Sequence, residues 1–150
     1  MYSRIFVAVD DSEVSKLAIN EAIKFAKNQQ AKLCIVYVAD EFIQGGEGVY
    51  VDFKEHEAEV KRQGQILLNE MITLARKTHH DVEQKLIEIT EPNQKVSDTI
   101  ITEANNWRAD LIVLGTHGRG GLPRLLLGSV AEEVMRNTSI PVHIVPQQDE

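Results

Sequence analysis

Short apolar runs alternate with longer amphipathic stretches along this chain. The runs predict β-strands, and they lie at residues 5–9, 33–38, 82–90, 111–114 and 142–145. The stretches between the runs repeat apolar residues at helical spacing, and they predict helices at residues 13–28, 52–78, 93 or 95 to 107, and 129–137. Strands that alternate with helices indicate an α/β fold with a parallel sheet. Because no linker or internal repeat divides the chain, we expect a single domain over residues 1–150.

The composition of the runs also predicts where some strands lie in the sheet. Residues 33–38 and 111–114 are continuously apolar, which is typical of strands that are buried on both faces. In residues 82–90, by contrast, Gln84 and Glu88 interrupt the apolar positions. This partial alternation favours a strand at the edge of the sheet.

A glycine-rich loop follows the fourth predicted strand. Gly115 ends that strand, Gly118 lies within the loop, and the next helical pattern begins at Gly128-Ser129. Glycines let backbone N–H groups turn towards a ligand, and the first N–H groups of a helix lack internal partners. A phosphate near Gly128, Ser129 and Val130 would satisfy those donors. The alternative is an ordinary strand-to-helix loop whose helix is capped by Ser129.

The charge around this loop differs from that of the rest of the chain. The chain carries 23 acidic residues and a net charge of -7, yet residues 111–131 contain no Asp or Glu. The same segment carries Arg119 and Arg124. A locally cationic, glycine-rich patch in an acidic protein favours a small anion as its ligand. The net negative charge opposes general binding of nucleic acid, which depends on Lys and Arg that neutralise phosphates.

The overall composition restricts the class of protein. Hydrophobic residues make up 43% of the 150 positions, which is enough to form a core. No apolar run approaches the roughly 20 residues of a membrane-spanning helix, and the N-terminus lacks the features of a secretion signal. Cys34 is the only cysteine, so no intrachain disulfide can form, and we expect it to be a buried strand residue. We therefore expect a cytoplasmic protein that does not associate with membranes.

Three motifs carry a resemblance to a known family. Gly115-x2-Gly118-x9-Gly128-Ser129 resembles the phosphate-loop motif of the universal stress protein family, in its nucleotide-binding branch. IFVAVDDSE at residues 5–13 is similar to that family's first strand and turn, and SIPVHIVP at residues 139–146 is similar to its last strand. The resemblance implies a doubly wound, five-stranded sheet in the order 3-2-1-4-5, with helices on both faces. It also implies ATP binding, with or without Mg²⁺, a role in stress survival, and a homodimer formed through the last strand, Val142–Val145.

The resemblance further implies which residues surround the nucleoside. It places Asp10 at the nucleotide, where the carboxylate would hold the ribose hydroxyls or a water molecule bound to Mg²⁺, an ion that prefers oxygen ligands. The alternative is a turn residue that helps to cap the first helix. The backbone of Ala8, Val9 and Val38 would lie around the adenine and the ribose.

The phosphates would lie at residues that match the family's motif directly. These are Gly115, Gly118, Gly128 and Ser129, with Val130 supplying the next N–H group. His117 and Arg119 lie inside the loop, where either side chain could reach a terminal phosphate or point to solvent. The other histidines lack a clustered Asp, Glu or Cys at metal-ligand spacing, and we interpret them as surface or hydrogen-bonded residues. Asp10 is therefore the one candidate ligand for a metal.

Three functions stay open at this point. The first is a nucleotide-binding regulatory protein with at most slow ATP hydrolysis, because no Lys follows the glycine loop as in P-loop enzymes and no residue pair is dedicated to catalysis. The second is a nucleotide-free dimeric interaction module, as in the family's other branch, which lacks the full glycine motif. The third is an enzyme of the wider nucleotide-binding α/β class, such as an adenylyl-transferring or pyrophosphate-releasing one, for which no acceptor-substrate residues can be identified. A homodimer also fits the short, apolar last strand, since an exposed apolar edge invites pairing with its copy.

Overall fold

Five parallel strands alternate with four helices in the computed structural model, which describes residues 1–40, 42, 53–116 and 127–147. The strands are β1 (Arg4–Ala8), β2 (Lys32–Asp40), β3 (Val82–Ile89), β4 (Leu111–Gly115) and β5 (Val142–Val145). The helices are α1 (Glu13–Gln29), α2 (Phe53–Arg76), α3 (Val96–Trp107) and α4 (Ser129–Asn137). Every predicted element is present, and the boundaries differ from the predicted ones by a few residues.

The strands lie in the order β3-β2-β1-β4-β5, and every neighbouring pair is parallel. This order confirms the one implied by the family resemblance, and it places β3 at an edge, as its polar interruptions predict. Strands β1 and β4 lie side by side, with Ile5 opposite Leu111. The winding direction reverses between these two strands. In open α/β sheets, ligands bind beyond the carboxyl ends of the strands at such a reversal.

Apolar side chains cover both faces of the sheet. Ile5 and Val7 of β1 point into the layer formed with α1 and α2, while Phe6 between them points into the layer formed with α3 and α4. This alternation follows from the strand geometry, which sends successive side chains to opposite faces. The central strands are therefore buried on both faces, and the helices hold the sheet from two sides.

Helix α2 approaches β2 closely at Gly64. A Cβ atom added to Gly64 would lie 2.5 Å from Cδ1 of Tyr37 and 3.0 Å from Cδ1 of Leu86. Glycine inside a helix costs up to about 1 kcal/mol relative to alanine, but here it lets the helix lie directly on the tyrosine ring. Val60 and His56 precede Gly64 by one and two repeats of four residues, so they share its face of the helix. The contact at Gly64 thereby directs both side chains towards the carboxyl edge of the sheet.

Helix α3 begins slightly later than predicted. Its first residue is Val96, with Lys95 as the N-cap. The preceding residues form a turn in which the Gln94 amide donates to the Glu91 carbonyl at 3.1 Å, and the Gln94 side-chain oxygen accepts from the Thr90 amide at 3.2 Å. This turn joins β3 to α3. None of the helices in the described ranges combines the length and apolar character needed to cross a membrane.

Candidate functional site

The carboxyl edge of the sheet carries an open cavity of about 580 Å³. This volume falls within the roughly 300–1,000 Å³ that is typical of small-molecule sites. The cavity brings together the predicted site residues Ala8, Val9, Asp10, Val38, Gly115, Gly128, Ser129 and Val130. The predicted residues His117, Gly118 and Arg119 lie outside the described residues. The described part of the predicted site therefore forms one concave surface.

The first turn of α4 presents backbone amides at one end of this cavity. Gly128 is the N-cap residue, and no side chain caps the helix. The Gly128 amide donates to the Thr116 carbonyl at 2.7 Å, and the first hydrogen bond within the helix runs from the Glu132 amide to the Gly128 carbonyl at 2.9 Å. The amides of residues 129–131 consequently have no acceptor within the helix. Such amides, at the positive end of the helix dipole, form a ready site for an anion.

The start of α1 differs from that of α4, because side chains cap it. Ser12 is the N-cap, and its hydroxyl oxygen accepts from the Ser15 amide at 3.2 Å. Asp10 takes part in the same turn: its Oδ1 accepts from the Ser12 amide, and its own amide donates to the Ser15 hydroxyl, both at 2.8 Å. Asp10 thus has the turn role that we considered as the alternative. Its Oδ2 accepts no hydrogen bond from the residues that the structure describes, so one carboxylate oxygen stays available to a ligand.

Gly115 lets β4 end directly against α1. A Cβ atom added to Gly115 would lie 2.9 Å from Cγ1 and 3.2 Å from Cγ2 of Val14. Val14 belongs to the first turn of α1, and Gly115 also lines the cavity. A side chain at this position would therefore push the wall of the cavity away from α1.

The opposite wall of the cavity belongs to β2 and α2. Tyr37, Asp40, His56, Val60 and Gln63 line it, and none of them was selected from the sequence. Asp40 resembles Asp10, because it ends a strand and its Oδ1 accepts from the Phe42 amide at 3.0 Å. That resemblance was a usable sequence signal: both aspartates follow an apolar run.

His56 requires a correction to the sequence-based interpretation. We expected a surface or hydrogen-bonded histidine, but its Nε2 is buried in the cavity wall and has no hydrogen-bond partner among the described residues. No local sequence pattern indicates this position, since it depends on how α2 lies across β2 at Gly64. His79 and His143 behave as expected: His79 Nε2 lies 2.6 Å from the Ala31 carbonyl, and the His143 ring packs edge-on against Phe25.

Cys34 lies away from this chemistry. It is buried on β2 on the side that faces α3 and α4. Burial raises the pKa of the Cys34 thiol to about 12, so the sulfur stays protonated and unreactive at neutral pH. Within the described residues, no three His, Cys, Asp or Glu side chains are grouped so that they could hold a metal ion.

Sequence comparison relates the chain to known proteins over almost its full length. Residues 1–146 match the model of the universal stress protein family. A universal stress protein of Methanocaldococcus jannaschii is 33% identical over 145 residues, which span 97% of this chain and 82% of that protein. Universal stress protein YxiE of Bacillus subtilis is 33% identical over 153 residues, which span 97% of this chain and 99% of that protein.

Solved structures show the same fold. A universal stress protein in complex with cAMP is 26% identical, with a TM-score of 0.70 over 96% of this chain and 97% of that one. A universal stress protein from Archaeoglobus fulgidus in complex with dAMP is 22% identical, with a TM-score of 0.69 over 96% and 98% of the two chains. Both of these structures are therefore complexes with an adenine nucleotide.

Proposed function

This chain belongs to the universal stress protein family, and on that premise we propose that it binds an adenine nucleotide in the cavity at the carboxyl edge of its sheet. The observation that carries the proposal is that this cavity meets the uncapped first turn of α4. Two solved structures of the same fold are complexes of universal stress proteins with cAMP and with dAMP. The residues that we expected to surround the nucleotide from the sequence line the same cavity wherever the structure describes them.

The polar groups around the cavity favour one orientation of the ligand. The phosphates belong at α4, where the amides of Ser129 and Val130 have no acceptor within the helix. Asp10 and Asp40 lie at the ends of β1 and β2; their carboxylates would repel phosphate but can accept hydrogen bonds from ribose hydroxyls. The base then lies beyond β1, towards Val38 and the wall formed by α2. Because β1 lies between β4 and β2, the phosphate end of the site near β4 and the base end near β2 are about 10 Å apart. This distance suits the length of a nucleotide.

We further propose ATP as the nucleotide, with or without Mg²⁺. Mg²⁺ bound to a nucleotide usually takes one or two carboxylates together with phosphate oxygens and water. The available Oδ2 of Asp10 fits that limited role, and the described lining supplies no larger set of protein ligands. Bound at this position, the ion would neutralise part of the charge of the phosphates.

The proposed role is regulation rather than rapid turnover. The described lining of the cavity contains no Lys or Arg, and Asp10 already holds a turn with one of its two oxygens. We propose at most slow hydrolysis, because the sequence shows no residue pair dedicated to catalysis. As in its family, we propose a role in stress survival for a cytoplasmic homodimer that pairs through β5.

Calorimetric titration of the purified wild-type protein with ATP, ADP, AMP and GTP tests this function. We expect saturable binding of adenine nucleotides, with ATP turnover below about 1 per second, the low end for typical enzymes. Titration with inorganic triphosphate controls for binding of phosphate alone. If no nucleotide produces heat, the chain acts instead as a nucleotide-free interaction module.

A further inference from the structure

We propose that His56 on α2 binds the base of the nucleotide and sets the preference of the site among bases. The inference rests on the proposed nucleotide function and extends it to a wall of the cavity that none of the sequence motifs reaches. Its basis is an unpaired polar atom in a residue of the cavity wall: His56 lines the cavity, and its Nε2 is buried and has no hydrogen-bond partner among the described residues.

A buried, unpaired ring nitrogen is unfavourable in the ligand-free protein. Leaving such a group unsatisfied lowers the stability of the folded state, and folded proteins pair most of them. Val60, which lines the same wall one helical repeat further along α2, is apolar and supplies no partner for that nitrogen. A ligand with a hydrogen-bonding edge supplies the missing partner.

The position of His56 indicates that it would contact the base of the nucleotide rather than the ribose or the phosphates. The free amides of α4 lie at the β4 side of the cavity, whereas α2 packs against β2 and β3 on the far side of β1. Asp10 and Asp40, between these two ends, suit the ribose. A nucleotide that places its phosphates at α4 therefore presents its base to His56.

Gln63, another polar residue of this wall, already has a partner. Nε2 of Gln63 donates to the Glu59 carboxylate at 2.9 Å, and Gln63 is exposed. His56 is held in place by the helix itself, since Gly64 lets α2 lie on Tyr37 two repeats of four residues further along the same face. In the described part of the chain, no protein group competes with a ligand for its Nε2.

Two substitutions at this position separate a ligand-binding role from a structural one. His56→Leu removes the unpaired nitrogen and retains apolar bulk, so we expect the ligand-free protein to melt at a higher temperature while its affinity for AMP falls about tenfold, as for one lost hydrogen bond. His56→Gln keeps a polar group at a similar reach, and we expect it to restore most of the affinity. His80→Leu, at an exposed histidine after the same helix, should change neither quantity.

The readouts are the melting temperature without ligand and calorimetric affinities for AMP, GMP and ribose 5-phosphate. We expect His56→Leu to weaken AMP binding, to narrow the difference between AMP and GMP, and to leave ribose 5-phosphate unaffected. If the wild type binds AMP and His56→Leu binds it equally well, the role of His56 is refuted while the nucleotide site stands. If His56→Leu melts at a lower temperature and loses affinity for all three ligands alike, His56 is a structural residue and the inference is wrong. If the wild type binds none of them, the proposed function itself fails.

Discussion

Three polar side chains at the carboxyl edge of the sheet differ in what they can offer a ligand. Asp10 and Asp40 each use Oδ1 to hold a local turn, through the Ser12 and Phe42 amides respectively. These bonds fix the orientation of each carboxylate before any ligand arrives, so less conformational entropy is lost when a ligand binds. His56 makes no such bond within the described residues, so its nitrogen is a cost to the fold unless a ligand pairs with it.

At this scale, the sequence predicts the residues whose position is set locally. Asp10, Gly115 and Gly128 could be found because each adjoins the end of a strand or the start of a helix, and the strand-to-helix order places those points at one edge. His56 could not be found in this way. Its burial depends on the distance between α2 and β2, which is determined by a contact between Gly64 and Tyr37 far apart in the chain.

In helix α2, some features follow from the local sequence and others depend on contacts with distant parts of the chain. Its length follows from the sequence pattern, but the face that it buries does not follow from the apolar residues alone. Ile66 and Leu74 are 45% and 38% exposed, whereas Leu68 is fully buried and Ile72 is 5% exposed. A helix with apolar residues around much of its surface can turn several faces inward. The close approach at Gly64 selects one of them, and that choice brings His56 and Val60 to the cavity.

Gly64→Ala tests whether this approach stabilises the fold. Helix propensity alone favours the substitution by up to about 1 kcal/mol, but the new methyl group would meet the Tyr37 ring at 2.5 Å. Overpacking of this kind costs about 1–3 kcal/mol, so we expect a lower free energy of unfolding in urea.

Ala58→Gly, at an exposed position of the same helix, is the matched control for propensity. We expect it to lose up to about 1 kcal/mol from propensity alone. Should Gly64→Ala prove as stable as the wild type or more so, the ring relaxes easily, and α2 is not positioned by this contact.

For the whole molecule, the periodicity of apolar residues predicts the strands and helices, whereas the order of the strands in the sheet came from the family resemblance. Alternating strands and helices indicate a parallel sheet, but they do not say whether β4 lies beside β3 or beside β1, because either connection is physically allowed. The three family motifs supplied the order, and the structure has it. The same order leaves β5 at one edge, with β4 as its strand partner in the described part of the chain.

The free edge of β5 leads to a prediction about assembly. Val142 and Ile144 are half-buried, and an apolar edge strand readily pairs with a second copy. We expect wild-type protein to be a dimer by light scattering and Val142→Glu to be a monomer, since two like charges would face each other across the interface. Thr90→Glu places the same charge at the opposite edge, beyond β3, and should remain dimeric.

Thermal unfolding of both variants shows whether the monomer is still folded. A folded Val142→Glu protein with the mass of the wild-type dimer would mean that β5 is not the interface.

The central claim is that backbone amides of the first turn of α4 hold the phosphates of the nucleotide. Ser129→Pro tests it most directly, because proline at the first helical position removes one amide donor from a place where it has no acceptor within the helix. Gly128 before it is already extended, at φ -66° and ψ 158°, as a residue preceding proline requires. Two variants serve as controls. Ser129→Ala removes the hydroxyl and keeps the amide. Glu13→Pro introduces proline at the first residue of α1, a helix that Ser12 already caps.

The measurement is the calorimetric affinity of each variant for ADP. A hydrogen bond to a charged group is worth about 1.5–3 kcal/mol, so we expect Ser129→Pro to bind ADP about ten to a hundred times more weakly than the wild type, with little change in melting temperature. We expect Ser129→Ala to lose much less affinity and Glu13→Pro to lose none. Undiminished binding of ADP by a folded Ser129→Pro protein would contradict the account, because the phosphates would then lie somewhere other than the amino terminus of α4.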